Sequence, residues 1–130
     1  MSQIKVQNNF VQFEIINNLL IATYMVDIIT VSIAKSVVKL RLEYTNRKVY
    51  PILIKDYTTI KINKEAREYL ASEEGSKGIE AVAVLTNSIY KLTLMNFFMK
   101  VLPPKMPVKL FSNEKKALQW LNKFKNKSHE

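Results

Sequence analysis

Two short apolar runs with a helix-length polar segment between them constrain this chain more than any other feature. The runs are VYPILI at 49–54 and AVAVL at 81–85. Both are rich in β-branched residues and bounded by polar ones, the pattern of strands buried on both faces, as in a parallel sheet. Between them, Asn63 is placed to cap a helix beginning at Lys64, and Glu65 in the first turn favours the positive end of the helix dipole. Both glycines of the chain, Gly75 and Gly78, fall where that helix has to stop, the place where a left-handed cap needs them. The segment predicts a βαβ unit.

The flanking sequence extends the unit in both directions. Phe10, Gln12 and Glu14 alternate with Val11, Phe13 and Ile15, and Asn17-Asn18 precedes a second run at 19–24. Asparagine tolerates positive φ, so this reads as an antiparallel hairpin with a two-residue turn. A first helix is expected from about Thr30 to Asn46, with Ile33, Val37, Leu40 and Tyr44 forming one apolar stripe. Val31, Val38 and Leu42 fall on nearly the opposite side, as exposed aliphatics or as a contact with another chain. Near the end, a strand at 108–111 precedes a helix capped by Ser112 or Asn113. That helix faces Ala117, Leu118, Leu121 and Phe124 inward, with Trp120 at the edge of the stripe.

A third helix, expected over 89–102, is apolar nearly all round. Thr93, Asn96 and Lys100 form a narrow polar strip, against Leu92, Leu94, Met95, Phe97, Phe98 and Met99 on the rest of the surface. A helix of that kind is covered on more than one side. It is sunk between the sheet and its neighbours, or forms a subunit interface, or lines a pocket for an apolar ligand. Excess apolar area of this size predicts a homodimer in which a second copy covers it. Pro103-Pro104 ends the helix.

The predicted order is ββαβαβαβα: an α/β domain with a five-stranded, mostly parallel sheet, an N-terminal antiparallel hairpin and four helices. One domain accounts for all 130 residues, with an ordered core over about 10–125. Cysteine is absent, which excludes disulfides and thiolate chemistry. The N-terminal residues have no apolar signal core, and no apolar run is long enough to span a bilayer. A cytoplasmic protein is the expectation. The net charge of +9 is concentrated after residue 88, where nine lysines face Glu114 and Glu130. Only three arginines are present, and arginine is the residue that reads phosphates and bases in a bidentate manner, so the balance argues against specific nucleic-acid recognition.

Residues able to do chemistry are sparse. The single histidine, His129, lies in a tail expected to fray, which leaves neither a histidine base nor a histidine-rich metal site. Glu73 and Glu74 are sequence neighbours and do not face each other on a helix. No Gly-rich phosphate loop or nucleophile elbow is present. The expectation is therefore no enzyme, no cofactor and no metal. Asp56 ends the central strand, where ligands of open α/β sheets gather, and Thr58, Thr59 and Lys61 follow it.

The order of elements, with KVYPILIKDYTTIKINKEAREYLASEEGSKGIEAVAVLTNS and NFFMKVLPPKMPVKLFSNEKKALQWL, resembles the STAS-like domains, in particular small stand-alone bacterial proteins of that type. The likeness is most specific over KEAREYLASEEGSKGI and NFF…KLF…ALQWL. Such domains are regulators or interaction modules, the best known being antagonists of bacterial anti-sigma factors. In those, a serine or threonine at the start of the second helix is phosphorylated. The matching residues here, Lys61-Ile62-Asn63-Lys64, offer no hydroxyl, and Thr58 and Thr59 lie upstream of the match. The resemblance implies a non-enzymatic module that binds a protein partner through Asp56, Thr58, Thr59, Lys61, Asn63 and Lys64, without the phospho-switch. The alternative is a binder of a lipid or anionic membrane surface, using the apolar helix 89–102 beside Lys91, Lys100, Lys105 and Lys109.

Overall fold

The computed structural model describes residues 5–56, 61–87 and 105–125. Its frame is a six-stranded sheet in the order β1-β2-β3-β5-β7-β8, with a separate two-stranded pairing of β4 and β6. The strands are β1 (Val6–Gln7), β2 (Val11–Ile16), β3 (Leu19–Tyr24), β4 (Ile28–Ile29), β5 (Tyr50–Lys55), β6 (Lys61–Ile62), β7 (Ile79–Leu85) and β8 (Val108–Phe111). The helices among the described residues are α1 (Val31–Tyr44), α2 (Lys64–Ala71) and α3 (Glu114–Lys125).

The hairpin forms as its turn chemistry requires. Asn17 and Asn18 both take positive φ, 51° and 62°, the primed geometry whose twist suits antiparallel strands. That turn fixes the register, Ile16 opposite Leu19 and Phe13 opposite Ala22. From β3 onward every pairing in the main sheet is parallel: β3 with β5, β5 with β7, and β7 with β8. The run at 49–54 thus becomes an interior strand.

Alternation along the strands sorts the core onto two faces. Val11, Phe13, Ile15, Leu20, Ala22 and Ile52 pack with Val37 of α1 on one. Leu19, Leu53, Ala81, Ala83 and Leu85 pack with Ala117 and Leu121 of α3 on the other. Alanines on both sides of that second contact let α3 lie close against β7. Asn113 caps α3, its side-chain oxygen accepting from the Lys116 N–H at 3.0 Å. Trp120 fills the stripe's edge, with ring centroids 5.9 Å from Phe111 and 4.9 Å from Phe124.

Several expectations need correction. The sheet has six strands rather than five, because the Asn8 side chain accepts from the N–H groups of Phe10 and Val11 and turns the preceding residues back onto β2. Two residues of strand are too few to show a period, and the same holds for β4 and β6. Val38 and Leu42 are buried, at 2% and 7% exposure, and are neither exposed aliphatics nor available to a second chain. Because α2 and the turn after it pack beside α1, that helix has two apolar sides to cover; Val31 stays partly exposed. Finally, α2 stops at Ser72, before either glycine. The helix expected over 89–102, with Leu92, Leu94, Met95, Phe97, Phe98 and Met99, lies outside the described residues.

The two glycines serve the turn into β7 for different reasons. Gly78 has φ of +79°. A Cβ on Gly75 would fall on the Tyr69 carbonyl oxygen and come within 2.8 Å of Leu70 Cα, so the backbones can approach only without one. Gly78→Ala should therefore lose about 1–2 kcal/mol. Gly75→Ala should lose more, because backbone rather than a flexible side chain has to move. Urea melts of both variants check the ranking.

Candidate functional site

The loop after β5 leads into α2, and local bonds tether the start of that helix to the start of α1. The Lys61 N–H donates to the Asp27 carbonyl at 3.2 Å and the Asn63 N–H to the Ile29 carbonyl at 3.0 Å, the bonds that accompany the β4–β6 pairing. Below them Ile29, Ala34 and Ala66, each 1% exposed or less, form a small core of their own. Arg67 turns back and donates to the Ile62 carbonyl at 2.6 Å. The result is a surface groove of about 530 Å³ between the two helix starts, lined by Thr30, Val31, Lys61, Ile62, Asn63, Lys64, Glu65 and Arg67.

Among the described residues three cations and one carboxylate line this groove, and α1 has no acidic residue in its first turn. Thr30 caps α1 with its hydroxyl, accepting from the Ile33 N–H at 3.3 Å. Asn63 occupies the corresponding position of α2 with φ −62° and ψ 153°, yet its side chain makes no capping hydrogen bond. Lys64 pairs with Glu68 only at 3.9 Å and in solvent, a contact worth little.

The residues expected to act together are divided by the structure. Lys61, Asn63 and Lys64 share the groove, whereas Asp56 is buried at 5% exposure, its N–H donating to the Leu85 carbonyl at 2.9 Å. Thr58 and Thr59 lie outside the described residues. Asp56 instead belongs to an interior polar group at the carboxyl ends of the parallel strands. Burial pushes the Tyr24 phenol from 10.0 up to about 12; Arg41 works against that rise and Asp56 adds to it.

Arg41 is the residue that sequence reasoning missed. It lies on α1 at 5% exposure, and its guanidinium donates to the Lys77 carbonyl at 2.5 Å and the Gly75 carbonyl at 3.0 Å. Burial lowers its pKa. The available signal was an arginine among the aliphatics of a helix, beside Leu42 and one turn after Val37 and Val38. Arg41 also forms part of the wall of a partly open, mostly apolar pocket of about 210 Å³ between the helices and the sheet.

With this geometry in place, comparison with known proteins is informative. A family model, domain of unknown function (DUF7793), matches residues 13–125. The chain belongs to the DUF7793 family. Its fold is that of a STAS-like domain. A crystal structure of an uncharacterized DUF3478-family protein with a SpoIIAA-like fold, from Shewanella loihica PV-4, is similar over 85% of this chain and 91% of that one. The TM-score is 0.61 at 16% sequence identity. No curated protein matches the sequence. This DUF7793 chain contains, among its described residues, no group of three or more His, Cys, Asp or Glu placed to hold a metal. No helix among them is long and apolar enough to cross a membrane.

Two outcomes follow from Arg41 and Tyr24. Arg41→Ala should cost about 2–4 kcal/mol, because two carbonyls of the turn lose their donors, with Arg41→Lys intermediate. The Tyr24 phenol is held neutral in the folded state, so its contribution is complete below pH 10 and is lost as pH rises toward 12. Urea unfolding at successive pH values should show the wild type losing on the order of 2 kcal/mol more than Tyr24→Phe across that window.

Proposed function

We propose that this domain is a regulatory or interaction module that holds an acidic segment of a protein partner in the groove between the starts of α1 and α2. The observation that carries the reading is the state of Asn63. It sits at the helix position where the resemblance to STAS-like antagonists places a phosphorylated hydroxyl, with a side chain that leaves the helix start uncapped. The exposed Lys61 and Lys64 flank it, and Arg67 lines the groove alongside them.

In this reading the partner's carboxylate takes the place of a phosphate. A helix start offers N–H donors and the positive end of a dipole, and neighbouring lysines raise the local concentration of an acidic segment. An asparagine in place of serine or threonine removes the site of covalent control. Binding would then be set by partner concentration and salt rather than by a kinase. The module has no reaction to perform in this scheme.

A photoreactive residue placed at Glu65, exposed beside the groove, tests this in the source cell. Placement at Lys116, exposed on α3, serves as the distal control. A partner adduct is expected from position 65 and not from 116. It should be lost in the double variant Lys61→Glu/Lys64→Glu, with no change in the melting temperature. Equal adducts from both positions, or an adduct that survives charge reversal, would sink the proposal. An adduct of twice the chain mass would make the partner a second copy.

A further inference from the structure

A second, partly open pocket of about 210 Å³ between the helices and the sheet is distinct from the groove. Phe13, Ala22, Val38, Ile52 and Val82 form apolar parts of its wall, and each is 7% exposed or less. A pocket with such walls offers the apolar body of a small organic molecule contacts that water cannot make.

One part of the wall is charged. Arg41 has five N–H donors, and two bonds are accounted for by the carbonyls of Gly75 and Lys77. Among the described residues it forms no ion pair. Carbonyl oxygens carry partial charges only, so among the described residues the guanidinium has no carboxylate within ion-pairing distance, an arrangement that favours an incoming anion. The residues outside the described set hold a single acid, Glu130. Tyr24, bearing a hydroxyl, lines the same space.

We propose that this cavity is a binding site for a small amphiphilic carboxylate, with the carboxylate paired to Arg41 and the apolar body lying against Phe13, Ile52 and Val82. A planar guanidinium is matched to a carboxylate in geometry as well as charge, which makes this class fit better than a neutral alcohol or a bare hydrocarbon. The ligand is of medium-chain or single-ring size, because the cavity is smaller than the ~300 Å³ at which drug-sized sites begin. Occupancy would couple α1 to the turn before β7, since the guanidinium would hold the ligand and the turn together. The inference stands apart from the groove and its partner.

Octanoate below its micellar concentration is the probe, with octan-1-ol as the neutral counterpart. Calorimetry and methyl NMR on the full chain provide the readouts. Octanoate should shift the methyls of Val37, Val38, Ile52 and Val82 and raise the melting temperature. Octan-1-ol should bind at least about tenfold more weakly, the loss expected when a charge-assisted bond is missing. Ala22→Leu adds bulk to the cavity wall without touching the charge, and should abolish binding while preserving the spectrum of a folded protein. Arg41→Lys should weaken octanoate and leave octan-1-ol unchanged; if that variant does not fold, the Ala22→Leu and alcohol arms decide. No shift at those methyls would overturn the proposal, as would equal affinity for the alcohol or full affinity in Ala22→Leu.

Discussion

A single guanidinium ties the two halves of this domain together. Arg41 reaches from α1 to the carbonyls of Gly75 and Lys77, more than thirty residues away in sequence, and holds the turn that delivers the chain into β7. Turn carbonyls that face the interior have no strand partner and need a donor. A charged one satisfies two of them at once, at the cost of desolvating the charge. The surroundings are arranged around that cost: Gly75 has no Cβ because the backbones are in near contact, and Gly78 takes a conformation that a side chain would strain. Apolar residues of α1 flank Arg41 and exclude water from it.

This interaction also sets the division of labour on the molecule. One end of the α1–α2 layer is fixed by Arg41, the other by the short β4–β6 pairing and the small core of Ile29, Ala34 and Ala66. Between two fixed ends the start of α2 is presented as a rigid feature, although it follows directly on a loop. A surface supported in this way would give up little conformational entropy in any binding event. The exposed cations of the groove stand on that support, whereas Asp56, close in sequence, is taken inward by its strand.

The sheet was legible because its signals are local. The asparagine pair states the hairpin turn, the apolar runs state the interior strands, and the 3.6-residue spacing of Ile33, Val37, Leu40 and Tyr44 states α1. What escaped was set by contacts distant in sequence. Val38 and Leu42 look surplus on an isolated helix and become necessary once α2 lies beside them. Arg41 reads as a surface residue until the turn carbonyls are seen beneath it. Asp56 reads as part of a polar loop, yet pairing of its N–H with Leu85 draws it inside. Of the candidate residues, the grouping of Lys61, Asn63 and Lys64 follows from their position at a helix start, and the interior polar group does not.

The strand order carries a consequence for how the protein is made. Reading across the main sheet, the strands appear in the order in which they occur in the chain, from β1 to β8. Among the described residues no strand is inserted between two that precede it, so each finds its neighbour already synthesised as the polypeptide leaves the ribosome. The β2–β3 hairpin supplies a template, and each later strand of the main sheet adds to one growing edge. Domains whose central strand comes last must wait for the whole chain, with aggregation-prone edges exposed meanwhile. Among the described strands the nascent chain has one advancing edge to protect, and α3, which follows β8, covers the face of β5 and β7 against which it packs.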